Sequence, residues 1–392
     1  MPATASVNRT WLCIAATVCL SAWTTSASAG PREQAKRLHD RLVGSPPSTT
    51  VLDSMASKVS AGDAIGAAYD AMDNPNFYNT TVRELATPWT NRDQSNYAPL
   101  NDATATVIGI VRDEVPFDQL LYEDIVYVGT PAATNVAYSQ TDNDHYEDLE
   151  SRRIDLSDPA NLARQTQSSL PASPLPANAT AGIMTTRGFA EAFLVAGTNR
   201  AAVRFALLNH LCMDQEDFRD ITALPDRVRQ DVSRSPGGDA AIYLNDCLTC
   251  HAGLDSLSGA FAYYDFNEDT TDIRYTAGDV HPKNLNDAGV FRFGFVTEND
   301  SWVNYWRTGP NAFVDWSGPG AGNGAKSLGM EFSATRQFAQ CQVEHVFEKV
   351  CHRVPNGAAD NAEVDRIATV FETGNRSLKR VFAETATYCM GN

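Results

Sequence analysis

Asn245-Asp246-Cys247-Leu248-Thr249-Cys250-His251 is the stretch on which the reading of this chain turns. Two thiols three positions apart match the two vinyl groups of a haem, with which they form thioethers. The residue that follows places an imidazole beneath the iron, so C-x-x-C-H is the attachment signature of a c-type haem. The motif occurs once in 392 residues. One covalent haem c is therefore expected, carried on Cys247 and Cys250 with His251 as the proximal iron ligand. Two other chemistries use the same cysteines. A thioredoxin-like C-x-x-C opens a helix after a strand in a βαβ unit, and the flanking pattern lacks that alternation. A structural zinc site asks for a second ligand pair of similar spacing, and there is no other C-x-x-C.

Beyond the motif, Leu254, Leu257 and Phe261 recur at helical spacing, which suits a porphyrin face or ordinary core equally. The role of the iron depends on the side opposite His251: a methionine sulfur gives an electron carrier, an open position permits peroxide or oxygen chemistry. Candidate ligands are Met330, Met213, Met184, Met390, His281, His210 and His345. Met330 ranks first because it follows the motif after a Gly/Pro-rich loop. His345 shares a helix face with Cys341 and reads as a packed core histidine. Phe291, Phe293, Phe295, Trp302, Tyr305, Trp306, Phe313 and Trp316 crowd residues 276–323, as core or as a shield for a haem edge.

The first 29 residues read as a signal peptide: Arg9, an apolar run over 11–22, then Ala27-Ser28-Ala29 as the cleavage site. Export to the periplasm or the extracellular space follows, and bacterial c-type attachment takes place there. Cleavage removes Arg9 and takes the formal net charge from −17 to about −18. So acidic a chain disfavours nucleic acid and suits a basic redox partner protein. No later run approaches the roughly 20 apolar residues that span a bilayer, so the mature chain is expected to have no transmembrane segment.

Around the motif the sequence resembles a family of uncharacterised, exported cytochromes c with C-x-x-C-H, abundant in planctomycetes and myxobacteria and built of domains of unknown function. Their haem segment runs Cys-x-x-Cys-His-x-x-x-Asp-Pro-Leu-Gly. Cys247, Cys250, His251, Asp255 and Leu257 fit it, with Ser256 in place of Pro. The segments 181–189, 199–204 and 324–341 are similar to neighbouring parts of that family, and 111–125 more faintly. The resemblance implies a haem protein and supplies no reaction.

The expected fold class is mainly α and multi-domain: a helical domain at 30–135, a loop or linker at 136–180, a c-type haem domain at 181–275, the aromatic segment 276–323 and a C-terminal helical domain at 324–392. Helical periodicity marks 32–75, 101–112, 325–351, 361–373 and 377–389, with a short strand over 125–130. Residues 141–148 read as an acidic, solvated loop; they lack the glycine and terminal glutamate of an EF-hand. Residues 169–179, rich in Pro, Ala and Ser, form the best linker. Cys341 and Cys351 lie about 15 Å apart along one helix and cannot bond to each other. If Cys212, Cys341, Cys351 and Cys389 form two disulfides, Cys212 pairs with Cys341 and Cys351 with Cys389, or the crossed way. Buried free thiols are the alternative.

Electron transfer is the leading functional expectation. A peroxidase- or oxygenase-type haem enzyme is the alternative, and a surface- or polymer-binding protein with a haem module is the third.

Overall fold

The structure, a computed structural model, describes residues 29–195, 198–228, 240–284 and 295–391. Residues 1–28 of the expected signal peptide, Phe291 and Phe293 lie outside the described residues. The chain is mainly helical: α1 Pro31–Val43, α2 Thr49–Ser60, α3 Ala64–Met72, α4 Arg83–Ala86, α5 Asp102–Arg112, α6 Asp144–Ser151, α7 Arg187–Phe193, α8 Arg200–Leu211, α9 Ala240–Ile242, α10 Leu248–Ser258, α11 Gly324–Ser333, α12 Arg336–Cys351, α13 Gly357–Thr373 and α14 Leu378–Cys389. Among the described residues, the strands form three antiparallel two-stranded ribbons. They are β1 Val126–Gly129 with β2 Leu162–Gln165, β3 Tyr264–Asn267 with β4 Asp272–Tyr275, and β5 Ser301–Val303 with β6 Ala321–Asn323. Among the described residues, no helix is long and apolar enough to cross a membrane.

Local chemistry sets the helix ends. Pro31 opens α1 where its missing N–H costs nothing, and Gly44 closes it in the left-handed conformation, its N–H bonded to the Asp40 carbonyl at 2.9 Å. Side chains of Ser48, Asp63 and Asn101 accept from the first turns of α2, α3 and α5. The periodic run expected as one helix over 325–351 is in fact two. Thr335 takes an extended conformation and accepts from Phe338 N at 2.9 Å, so it starts α12 afresh.

Two other stretches depart from expectation. The acidic segment 141–148 is a solvated loop only at its start, because α6 begins at Asp144 and buries His145, Tyr146 and Leu149. His145 is satisfied on both ring nitrogens, by the Val136 carbonyl at 2.7 Å and the Gly129 N–H at 2.9 Å. The Pro-rich 169–179 segment is irregular but packed: Leu175 and Ala179 are buried, and the Ala179 carbonyl accepts the Tyr264 hydroxyl at 2.5 Å.

One apolar core runs from Ala35 on α1 to Ala386 on α14. The last helix packs against α1 and α3 as well as α12 and α13, so both ends of the chain meet in one bundle. α5 is buried all round, as a central helix must be, and passes so close to β1 that a Cβ on Gly109 would lie 2.1 Å from the Tyr127 ring. Cys212, the left-handed cap of α8, is bonded to Cys341, and Cys351 to Cys389 of α14, with Cα–Cα distances of 5.3 and 5.6 Å. Both disulfides hold α12.

His210 on α8 is 1 % exposed, and its Nδ1 has no hydrogen-bond partner. Burial, with nearby His345, draws its pKa from 6.5 down to about 3. An unfolded chain takes up this proton first. Stability is therefore full above pH 6.5 and is lost as pH falls toward about 3, by up to about 1.4 kcal/mol per pH unit. Urea titrations between neutral pH and about pH 4 should read this slope, and His210→Phe should make it shallower. An unchanged slope in the variant would assign the acid sensitivity elsewhere.

Candidate functional site

A π-helical turn, Tyr243–Cys247, runs directly into α10, and Cys247 is the cap residue between them. Helical spacing then acts on the motif. Cys250 and His251 lie three and four positions beyond Cys247, so both thiols and the imidazole fall on one face. Both cysteines are partly exposed free thiols, whereas Cys212, Cys341, Cys351 and Cys389 are paired. Farther along the same side of the helical segment, Leu254, Leu257 and Phe261 belong to the main core. Gly253 is required on this helix, because a Cβ would lie 2.1 Å from the indole of Trp306. That indole stacks on Phe218 at 4.4 Å, and its buried Nε1 has no hydrogen-bond partner.

One helical turn past His251, Asp255 fixes the imidazole. His251 Nδ1 lies 3.0 Å from Asp255 Oδ1, and the carboxylate is fully buried. Arg200, at the start of α8, grips the same carboxylate with Nε at 2.6 Å and Nη2 at 2.8 Å. Burial pushes the Asp255 pKa up, but the Arg200 guanidinium and His251 outweigh it and hold the group well below the usual carboxylate range. An ionised carboxylate only accepts, so Nδ1–H must donate, and the neutral ring carries its lone pair on Nε2. That tautomer suits an imidazole that ligates a metal through Nε2, its other nitrogen held by a carboxylate.

The surroundings of the motif are apolar and open. The Thr249 carbonyl accepts from Asp220 N at 3.1 Å, and the Val228 carbonyl from Phe295 N at 2.8 Å. Val228 packs with Ala223, Cys247, Leu248 and Ala252 in a small cluster apart from the main core. Of the eight exposed large apolar residues among those described, five are Ile221, Leu224, Ile242, Val296 and Phe313, on the chain before the motif or on segments tied to it. Ile221 is 87 % and Phe313 64 % exposed. Concentrated exposed apolar surface marks a site that something covers.

The expected site residues thus separate. Cys247, Cys250 and His251 are assembled on one helix face. Met330 lies on α11 and is 38 % exposed, next to Glu331, which is buried against Arg307 and Asn304. Trp302 and Trp306 are core residues, and Met184 is buried in the core as well. Asp255 was visible in sequence as the acid four residues after the histidine. Arg200 carried no local signal, since it reaches the motif only through the packing of α8 on α10. No family model, curated protein or solved structure matches the chain.

Proposed function

We propose that this chain is an exported monohaem c-type cytochrome that carries out electron transfer, in keeping with the family its motif resembles. The observation that carries the reading is the sorting of the cysteines. Four are consumed in disulfides, while the two of C-x-x-C-H remain thiols on the face that bears His251. The donor set fits haem c: two thiols for the vinyl groups, an imidazole in the Nε2-basic tautomer, and exposed apolar side chains where a macrocycle needs cover. A bound haem supplies reversible one-electron exchange. Cys247 and Cys250 would hold it covalently, and His251, oriented by Asp255 and Arg200, would ligate the iron. Ile221, Leu224 and Phe313 would supply apolar cover for the bound macrocycle. The haem unit would be 181–275, packed on the helical bundle that α1, α3 and α12–α14 build, and the acidic surface would dock a basic redox partner.

A second reading, a peroxidase-type haem enzyme, draws support from one contact. A carboxylate on the proximal imidazole raises ligand basicity, which lowers the reduction potential and favours chemistry at an open sixth position. Met330 is the distal ligand to test. Protein exported from cells competent in c-type attachment should give a reduced-minus-oxidised haem spectrum and a haem stain that survives denaturation. Purified protein without haem would overturn the proposal. If Met330 closes the iron, Met330→Leu removes the weak far-red band of a methionine-ligated ferric haem. Ready binding of cyanide by the unmodified protein would instead favour the enzyme.

A further inference from the structure

A cleft of about 1010 Å³ opens among α1, the 80–89 segment and α12, with Trp89, Gln94 and His345 in its lining. The Trp89 ring lies 5.3 Å from both His210 and His345. His345 Nε2 is 2.9 Å from the Asn209 carbonyl oxygen and 3.5 Å from Cys212 Sγ, one of the two sulfurs of the Cys212–Cys341 disulfide. A carbonyl oxygen only accepts, so Nε2 bears the hydrogen and donates it to Asn209, with Cys212 Sγ within reach of the same N–H. Burial also holds the His345 pKa below its ordinary value, which keeps the ring neutral. Both sulfurs and this imidazole lie within 4.8 Å of one another. In that tautomer Nε2 has no lone pair for a metal ion, so the trio is arranged for sulfur chemistry and not for ligation. Cys341 is buried, whereas Cys212 is partly exposed at the cap of α8. Among the described residues, no imidazole hydrogen bond reaches the Cys351–Cys389 pair.

We infer that Cys212–Cys341 is a thiol–disulfide exchange site for low-molecular-weight thiols, with Cys212 as the exchanging sulfur and His345 as the donor that stabilises its thiolate. A small thiolate attacks Cys212 Sγ. The bond to Cys341 Sγ breaks, and Cys341 leaves as a thiolate that takes up a proton. A second small thiolate attacks the outer sulfur of the mixed disulfide, and Cys212 leaves into the His345 N–H. Two thiols have become one small disulfide, and their two electrons and two protons reside on the Cys212/Cys341 dithiol. The reverse sequence reduces a small disulfide.

The test uses the oxidised full-length protein in native buffer with graded ratios of reduced to oxidised glutathione, followed by alkylation and peptide mass mapping. Glutathione should appear on Cys212, and Cys212–Cys341 should open before Cys351–Cys389. His345→Leu should slow the exchange about tenfold, the loss of one hydrogen bond to a thiolate, and leave Cys351–Cys389 unaffected. That second disulfide also reports whether the variant is folded. If the variant does not fold, the order of opening in the unmodified protein decides. Two disulfides that open together only in denaturant, or a folded His345→Leu that exchanges at the original rate, would overturn the inference.

Discussion

Serine at both Cys247 and Cys250 should abolish covalent haem, reducing the stain on a denaturing gel from a full band to background. The effect is all-or-none because a thioether requires a thiol, and no other cysteine can substitute: Cys212, Cys341, Cys351 and Cys389 are held in disulfides elsewhere. The fold itself should persist, because both cysteines are only partly buried and the C-terminal part of α10 is anchored in the core by Leu254 and Leu257. Each single serine variant retains one attachment point and should stain at reduced intensity. A double variant that still stains like the unmodified protein would remove the motif from the proposed function.

Replacing Arg200 with leucine should destabilise the protein by roughly 3–5 kcal/mol, because it removes the guanidinium that compensates the fully buried Asp255 carboxylate. Asp255→Asn should cost less, since Arg200 is 20 % exposed and rehydrates once its partner is neutral. The pH dependence separates the two. Asp255 has a depressed folded pKa, so its contribution is complete above the ordinary carboxylate value of about 3.9 and falls away as the pH drops below it. Asp255→Asn should lack that acid-limb slope, which denaturant midpoints at neutral and strongly acidic pH will show. If the chain binds haem as proposed, the same pair would set the basicity of His251. Arg200→Leu should lower the reduction potential by leaving the carboxylate charge uncompensated, and Asp255→Asn should raise it. Unchanged potentials in both variants would show that the contact orients the ring without tuning the iron.

Much of the helical content was legible along the chain. Ala35, Leu38 and Leu42 recur at helical spacing and are buried on α1, and α5, Asp102–Arg112, falls within the expected helical stretch 101–112. Breaks made by single side chains were harder to read. Thr335 interrupts an apolar pattern that continues on both sides, and only its extended backbone and its bond to Phe338 reveal two helices. His145 resembled part of a solvated acidic run because its partners, Val136 and Gly129, reach it through the backbone.

By itself the sequence determined the motif and the six cysteines that follow residue 29, and spacing along one chain is enough to place Cys247, Cys250 and His251 on a common side once the segment is a helix. Which cysteines pair was left open between two connectivities. Only the packing of α12 between α8 and α14 decided it, because a disulfide needs two Cα atoms within about 7 Å. The same holds for the motif's most important neighbour. Arg200 meets Asp255 across 55 positions of sequence, and the buried ion pair that fixes His251 exists only once α8 lies on α10 and water is gone from between them.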